Sequence, residues 1–253
     1  MRTALAYLTM LVSTLIYGSQ VLVAALFGLR PRPDGQLEAA PRRFSRNVLW
    51  VSGVKVRVSG SEHAAPGEPR VFVANHVSWY DVFTLATILP RYRFVAKKEL
   101  RKLPIFGPAT ALVAGVFIDR QNRKAAFEAY REAVDAMKTG INVVVFPEGT
   151  RGHTYSLRPF KKGPFVLAIA AQAPIVPCVL HGTRDVAPKG RWAVHAGDVE
   201  VSILEPIPTA GMTYENRDEL MRTVWSRMAD ELETRWGERS DRAVLSTQAT
   251  SAA

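Results

Sequence analysis

From Thr3 to Leu29 the chain carries no charged residue, and the run is rich in leucine, valine, alanine and aromatic side chains between Arg2 and Arg30. So long an apolar segment must be covered, by lipid or by protein. As one helix it would reach roughly 40 Å at about 1.5 Å per residue, enough to cross a bilayer core. Four readings compete: a spanning helix, a helix embedded in one leaflet, a cleaved signal peptide and a helix of a soluble core. The polar cluster Tyr17-Gly18-Ser19-Gln20 argues against a uniform span, and the lack of a clear small-x-small cleavage site argues against a signal peptide. Arg30, Arg32, Arg42, Arg43 and Arg46 follow the run, so the positive-inside bias places the rest of the chain on the cytoplasmic side of a cell membrane.

After Pro41, the residues Phe44, Val48 and Val51 recur on one helical face while Arg42 and Arg46 point away. That helix either lies on anionic headgroups or packs its apolar side on the domain behind it. With 253 residues, 47% hydrophobic and 22% charged, the chain suits one globular domain with short additions. A net charge of +10 makes its surface attractive to phosphates, which admits nucleic acid, anionic membrane and phosphorylated small molecules as partners. The single cysteine, Cys178, excludes an internal disulfide and reads as a buried structural thiol.

Short β-branched or apolar runs at residues 54–58, 71–74, 94–96, 116–118, 142–146, 175–180 and 199–204 read as strands, several of them fully buried. Helical patterns lie between them. One carries Phe127, Tyr130, Val134 and Met137 and is closed by Gly140 as a C-cap; another follows Gly163-Pro164. A third carries Met221, Val224, Trp225, Met228 and Leu232 behind an Asn216/Glu219 capping pattern. Strand, helix, strand implies an α/β fold with a mixed, largely parallel central sheet flanked by helices. The expected organisation is a membrane-associated helical segment over 1–52, a main α/β domain over 53–236 and a loose tail over 237–253.

Three of these strands run into polar turns. Val71 to Ala74 leads into Asn75, His76, Ser78 and Asp81; the run ending at Phe146 leads into Pro147-Glu-Gly-Thr-Arg151; and Gly115-Val-Phe-Ile118 leads into Asp119-Arg120. If these strands run the same way, the three ends meet on one edge, where ligands collect in such sheets. His76 can take a hydroxyl proton near neutral pH, and a carboxylate on its other ring nitrogen would fix tautomer and orientation. A helix-capping role for the same pair is the plain alternative. Arginine's planar fork suits phosphate, and a glycine lets the backbone approach a ligand. Ser78 lacks the Gly-x-Ser-x-Gly elbow of a nucleophile. His63, His153, His181 and His195 share no metal-ligand spacing and read as surface or structural. Lys161-Lys162 meets either an acidic headgroup or carrier, or only solvent.

The segments Asn75-His-x-x-x-x-Asp81, Gly115-x-x-Phe-Ile-Asp-Arg120, Phe146-Pro-Glu-Gly-Thr-Arg151 and Val176-Pro177, in this order, resemble the four motifs of the 1-acylglycerol-3-phosphate acyltransferase family, over roughly residues 54–204. The resemblance implies the glycerol-3-phosphate acyltransferase-like fold and a membrane-bound enzyme that moves an acyl group from acyl-CoA or acyl carrier protein onto the free hydroxyl of 1-acyl-glycerol-3-phosphate. It makes His76 the general base and Asp81 its partner. It assigns Lys97, Arg120, Glu148, Gly149, Thr150 and Arg151 to the acceptor's phosphate and glycerol, and leaves Val176-Pro177 to shape the acyl pocket. No cofactor is expected beyond the acyl donor. Anionic membrane lipids are expected partners and nucleic acid is not. Competing readings are another lysolipid acceptor, such as a lyso-ornithine lipid or other lysophospholipid, and a non-catalytic basic protein of the membrane surface.

Overall fold

The computed structural model describes residues 1–32, 35–119 and 123–245, the side chains of residues 123, 124, 126 and 127 excepted. Each apolar run read as a strand forms one: β1 (Val54–Ser59), β2 (Val71–Ala74), β3 (Tyr92–Lys97), β4 (Gly115–Ile118), β5 (Asn142–Val145), β6 (Ile175–His181) and β7 (Gly197–Ile203). They make one sheet in the order β1-β7-β6-β2-β5-β3-β4. Every pair is parallel except β6 with β7. In the parallel part, β2, β5, β3 and β4 point their C-terminal ends to one edge, so the polar turns at residues 75–81 and 146–151 and Lys97 do converge. Arg120, expected beside them, lies outside the described residues.

Side chains alternate across a strand, so β2 divides the core in two. Val71 and Val73 join one apolar cluster with Val143, Val145 and Ile175; Phe72 and Ala74 join another with Val144, Val176 and Cys178. Helices α6 (Arg123–Met137), α7 (Gly163–Ala171) and α9 (Arg217–Trp236) supply the first cluster's cover, and Trp225, Met228 and Phe165 are fully buried there. The expected capping by Asn216 and Glu219 is not used. Thr213 and Asn216 form the capping box, one turn earlier, because the Asn216 side chain already accepts from the Thr213 amide at 2.8 Å. Gly140 does end a turn, with φ 81° and its amide on Met137 O, three residues past the last helical residue.

The second cluster is covered by the N-terminal helices. Residues 2–26 form one rod made of α1 (Arg2–Ser13), a π turn over Thr14–Gly18 and α2 (Ser19–Leu26), long and apolar enough to cross a membrane. The π turn falls on the polar cluster. A Cβ on Gly18 would stand 2.6 Å from Ile105 Cγ2, so only glycine lets the rod lie this close to the segment opening α5 (Phe106–Val113). Ala6 and Val21 are buried there, while Leu5, Leu8, Leu11, Val12, Leu15 and Ile16 face outward. The 1–52 segment therefore shares a core with the sheet.

Helix α3 (Gln36–Val51) begins five residues before Pro41 and carries that proline inside it, instead of starting after it. Its apolar side packs on the domain through Val48 and Leu49, next to α4 (Tyr80–Ile88). Arg42, expected to point away, turns inward and donates to Thr87 O at 3.2 Å and Leu89 O at 2.6 Å, where the C-terminal carbonyls of α4 favour a cation. The tail expected to be loose from Gly237 is tied down as far as Leu245: Leu157 N donates to Ser240 Oγ, Arg242 pairs with Asp230, and Val244 and Leu245 pack on the first cluster. Residues 246–253 lie outside the described set. Cys178 is fully buried, and burial pushes its thiol well above the usual range.

Candidate active site

The chain leaves β2 through Asn75, whose side-chain amide donates to Leu180 O at 3.0 Å and accepts from Leu180 N at 2.8 Å. This extends the pairing with β6 by one residue and fixes where the next residue, His76, begins. His76 Nδ1 lies 2.8 Å from Asp81 Oδ2. The same carboxylate oxygen accepts the amides of Val77 at 2.7 Å and Ser78 at 2.8 Å, and Oδ1 accepts from Thr183 Oγ1. Asp81 has no exposed surface, yet both its oxygens are satisfied. It organises the turn before α4 and also holds the imidazole. The capping and catalytic readings of the pair thus describe one device.

In the neutral imidazole, a proton on Nδ1 directed at Asp81 leaves the Nε2 lone pair toward the cavity. The imidazole stacks on Phe146, with centroids 4.0 Å apart, and its side chain retains 14% exposure. Ser78 is not available as a nucleophile: its hydroxyl donates to Ala187 O at 2.8 Å, accepts from Tyr80 N and is buried.

The turn after β5 is sewn to the His76 turn. Gly152 N donates to His76 O at 2.7 Å, and His76 N donates to Glu148 Oε1 at 2.8 Å. Glu148 is 5% exposed and does not line the cavity described below; its carboxyl faces the His76 and Arg158 amides. Burial, aided by the nearby Asp81 charge, pushes it up to about 8 against the pull of those two amides. Glu148 therefore sits as a positioning group between the two turns. Gly149, at φ 75°, swings the chain so that Thr150 and Arg151 return to the cavity wall. The Arg151 guanidinium lies 4.8 Å from the Trp79 ring centroid, and burial holds it below its usual value, opposed by Asp81.

His76, Lys97, Gly149, Thr150 and Arg151 all border one cavity of about 720 Å³. Behind them it is walled by Phe83, Phe94, Phe106, Phe117 and Phe146, and it is roofed by Tyr7, Met10, Tyr17 and Phe44 from the N-terminal helices. The space is mostly apolar with a few polar groups at one end, the usual form of a small-molecule site. Val176 and Pro177, expected to shape a pocket, instead pair with Phe72 and Val73 inside the sheet and do not border the cavity. Lys162 forms an ion pair with Asp218 at 3.0 Å, so neither expected role, in a headgroup contact or in open solvent, describes it.

Sequence reasoning missed Thr183, Trp79 and Lys189. Thr183 follows the end of β6, the same strand-end signal that marks the other site residues. Lys189, whose Nζ donates to Arg151 O at 2.8 Å, comes from a loop with no pattern of its own.

A family model described as Acyltransferase matches residues 55–181. The chain is 38% identical to the human 1-acyl-sn-glycerol-3-phosphate acyltransferase alpha over 66% of its own length, an alignment that spans 60% of the human protein. It is 30% identical to the 1-acyl-sn-glycerol-3-phosphate acyltransferase of Cocos nucifera over 91% of this chain and 74% of that one. The crystal structure of the 1-acyl-sn-glycerophosphate (LPA) acyltransferase PlsC from Thermotoga maritima superposes with a TM-score of 0.75 at 30% identity, covering 93% of this chain and 96% of that one. With the motif residues grouped at one sheet edge and these relatives covering most of its length, the chain belongs to the 1-acyl-sn-glycerol-3-phosphate acyltransferase family.

Proposed function

We propose that the protein transfers a fatty acyl group from acyl-CoA or acyl carrier protein to the free hydroxyl of 1-acyl-glycerol-3-phosphate at a membrane surface, with its catalytic domain on the cytoplasmic side. The observation that carries this is a histidine, oriented by a buried aspartate, opening on an apolar cavity with an arginine at the same wall. His76 Nε2 removes the hydroxyl proton as the oxygen attacks the thioester carbonyl. The tetrahedral oxyanion then collapses and expels the thiolate, which takes up the proton held by His76. Asp81 holds the tautomer and stabilises the imidazolium. Arg151 and Lys97 face the acceptor's phosphate, and the phenylalanine-lined space takes the acyl chain. The rod over residues 2–26 and its outward leucines hold the domain to lipid.

His76→Ala in membranes carrying the full chain tests the reading, with thiol release from acyl-CoA followed in the presence of 1-acyl-glycerol-3-phosphate. Removal of a general base should cost about 10²-fold or more. A variant that releases thiol at the wild-type rate would remove His76 from the mechanism.

A further inference from the structure

The loop joining α8 (Thr183–Val186) to β7 belongs to none of the sequence motifs, yet it is bonded to both the turn of residues 75–81 and the turn of residues 146–151. Its Ala187 carbonyl accepts from Ser78 Oγ, and Lys189 Nζ donates to Arg151 O. Farther along, Val194 N donates to Thr3 Oγ1 at 3.0 Å, and Trp192 O accepts from Tyr7 OH at 3.3 Å. The Trp192 and Tyr7 rings lie 6.1 Å apart. The loop is thus bolted at one end to the catalytic turns and at the other to the first turns of the apolar rod.

Two features in and beside this loop face outward. Trp192 is 80% exposed beside a helix whose outward face is also apolar, and tryptophan in that position is the side chain favoured at a bilayer's headgroup level. Next to it a second hollow, of about 350 Å³, is bordered by Arg184, Arg191 and His195, with Asp185 the acid among them. Arg184 is held in place by its Nε on His153 O at 2.7 Å and stands 3.9 Å from Asp185. Arg191 forms no ion pair among the described residues and borders both this hollow and the large cavity. Two guanidinium groups in a concave setting, one of them fixed in advance, match a phosphate monoester or diester.

We infer that the hollow formed by Arg184, Arg191 and His195 binds the phosphate of an anionic bilayer phospholipid, distinct from the acceptor, and so seats the cavity mouth at headgroup level. The inference rests on the membrane reading given above. Trp192 and α1 set the depth, and the two arginines supply the charge-dependent part of the hold.

Binding of the full-length protein to vesicles of phosphatidylcholine alone, and to vesicles of phosphatidylcholine with phosphatidylglycerol, tests it. Wild type should bind both, and more tightly with phosphatidylglycerol. Arg184→Gln with Arg191→Gln should lose most of that gain, at about fivefold for each arginine, and keep its hold on neutral vesicles. Replacing both by lysine, which keeps the charge but not the planar fork, should keep only part of the gain and leave neutral-vesicle binding intact. Arg222→Gln with Arg227→Gln removes equal charge from α9 on the opposite sheet face and should leave the gain intact. The inference fails if the Arg184/Arg191 glutamine pair keeps the gain, or if the α9 pair loses as much, since diffuse charge would then be enough. It fails too if the Arg184/Arg191 pair raises KM for acyl carrier protein with vesicle binding unchanged, because the hollow would then serve an acidic carrier. Wild type that binds neutral vesicles but gains nothing from phosphatidylglycerol overturns the phosphate site alone; wild type that binds neither vesicle overturns the membrane reading with it.

Discussion

On the face of the sheet built from Val71, Val73 and Val145, helices α6, α7 and α9 press Phe165, Trp225 and Met228 into full burial. On the face built from Phe72, Ala74 and Val144, the helices stop short and leave about 720 Å³ open beside Phe94, Phe117 and Phe146. Both faces draw apolar side chains from β2, β5 and β6, valine and isoleucine on the first and a wider mix that includes Phe72, Ala74 and Leu180 on the second. The difference lies in the cover: the solid face is closed by helices late in the chain, the hollow one by helices that also present leucines outward. Stability and room for a substrate are thereby assigned to opposite sides of one sheet, so that a change meant for one need not spoil the other.

The largest expected break in this comparison comes from Trp225→Ala, which should destabilise the protein by about 3–5 kcal/mol because nothing can collapse into the space. Phe117→Ala, on the hollow side, should cost less than half as much. Urea denaturation of both variants checks this, and equal losses would mean that the cavity wall is as tightly packed as the core.

A smaller effect is expected at the seam between the two faces. Burial raises Glu148 to about 8, so the folded state holds a proton that the unfolded chain releases near its ordinary value of 4.5. The contribution is complete below that lower value and is lost as pH rises through about 8, so wild-type stability should fall across this window. Glu148→Gln, which cannot ionise, should flatten that fall, whose slope is at most about 1.4 kcal/mol per pH unit. Denaturation midpoints from pH 5 to pH 8 report it, and parallel curves for the two proteins would place the slope elsewhere.

Filling the hollow itself is read in donor choice more than in stability. Ala109→Phe, on the cavity wall in α5 and beside Gly18, should cost about 1–3 kcal/mol while shifting donor use toward shorter acyl chains. Competition between long- and short-chain acyl-CoA measures the shift. An unchanged preference would show that the acyl chain lies elsewhere.

The sheet was legible in the sequence because buried parallel strands are nearly continuous β-branched runs, and Val71 to Ala74 or Asn142 to Val145 can scarcely be anything else. The pair His76 and Asp81 was legible through its spacing and its place after a strand. Glu148 was legible as a site member, but its direction was not: whether a carboxyl faces a cavity or a backbone amide depends on Gly152 and Arg158 folding back around it. The cavity was illegible for a related reason, since its wall draws on segments from Tyr7 to Val194. Arg42 was misjudged because helical periodicity registers only its own helix and cannot register the carbonyl end of α4. Val244 and Leu245 are too few to make a pattern, although they suffice to pin the tail.

The bonds from Thr3 to Val194 join residues 191 positions apart. At about 5–20 residues per second, a ribosome makes Val194 roughly ten to forty seconds after Thr3. Through that interval the first helix lacks the loop that finally clasps it, and its leucines need shelter. On the membrane reading proposed above, a bilayer within reach supplies it, and the roof of the hollow face waits in lipid while the room beneath it is still being translated.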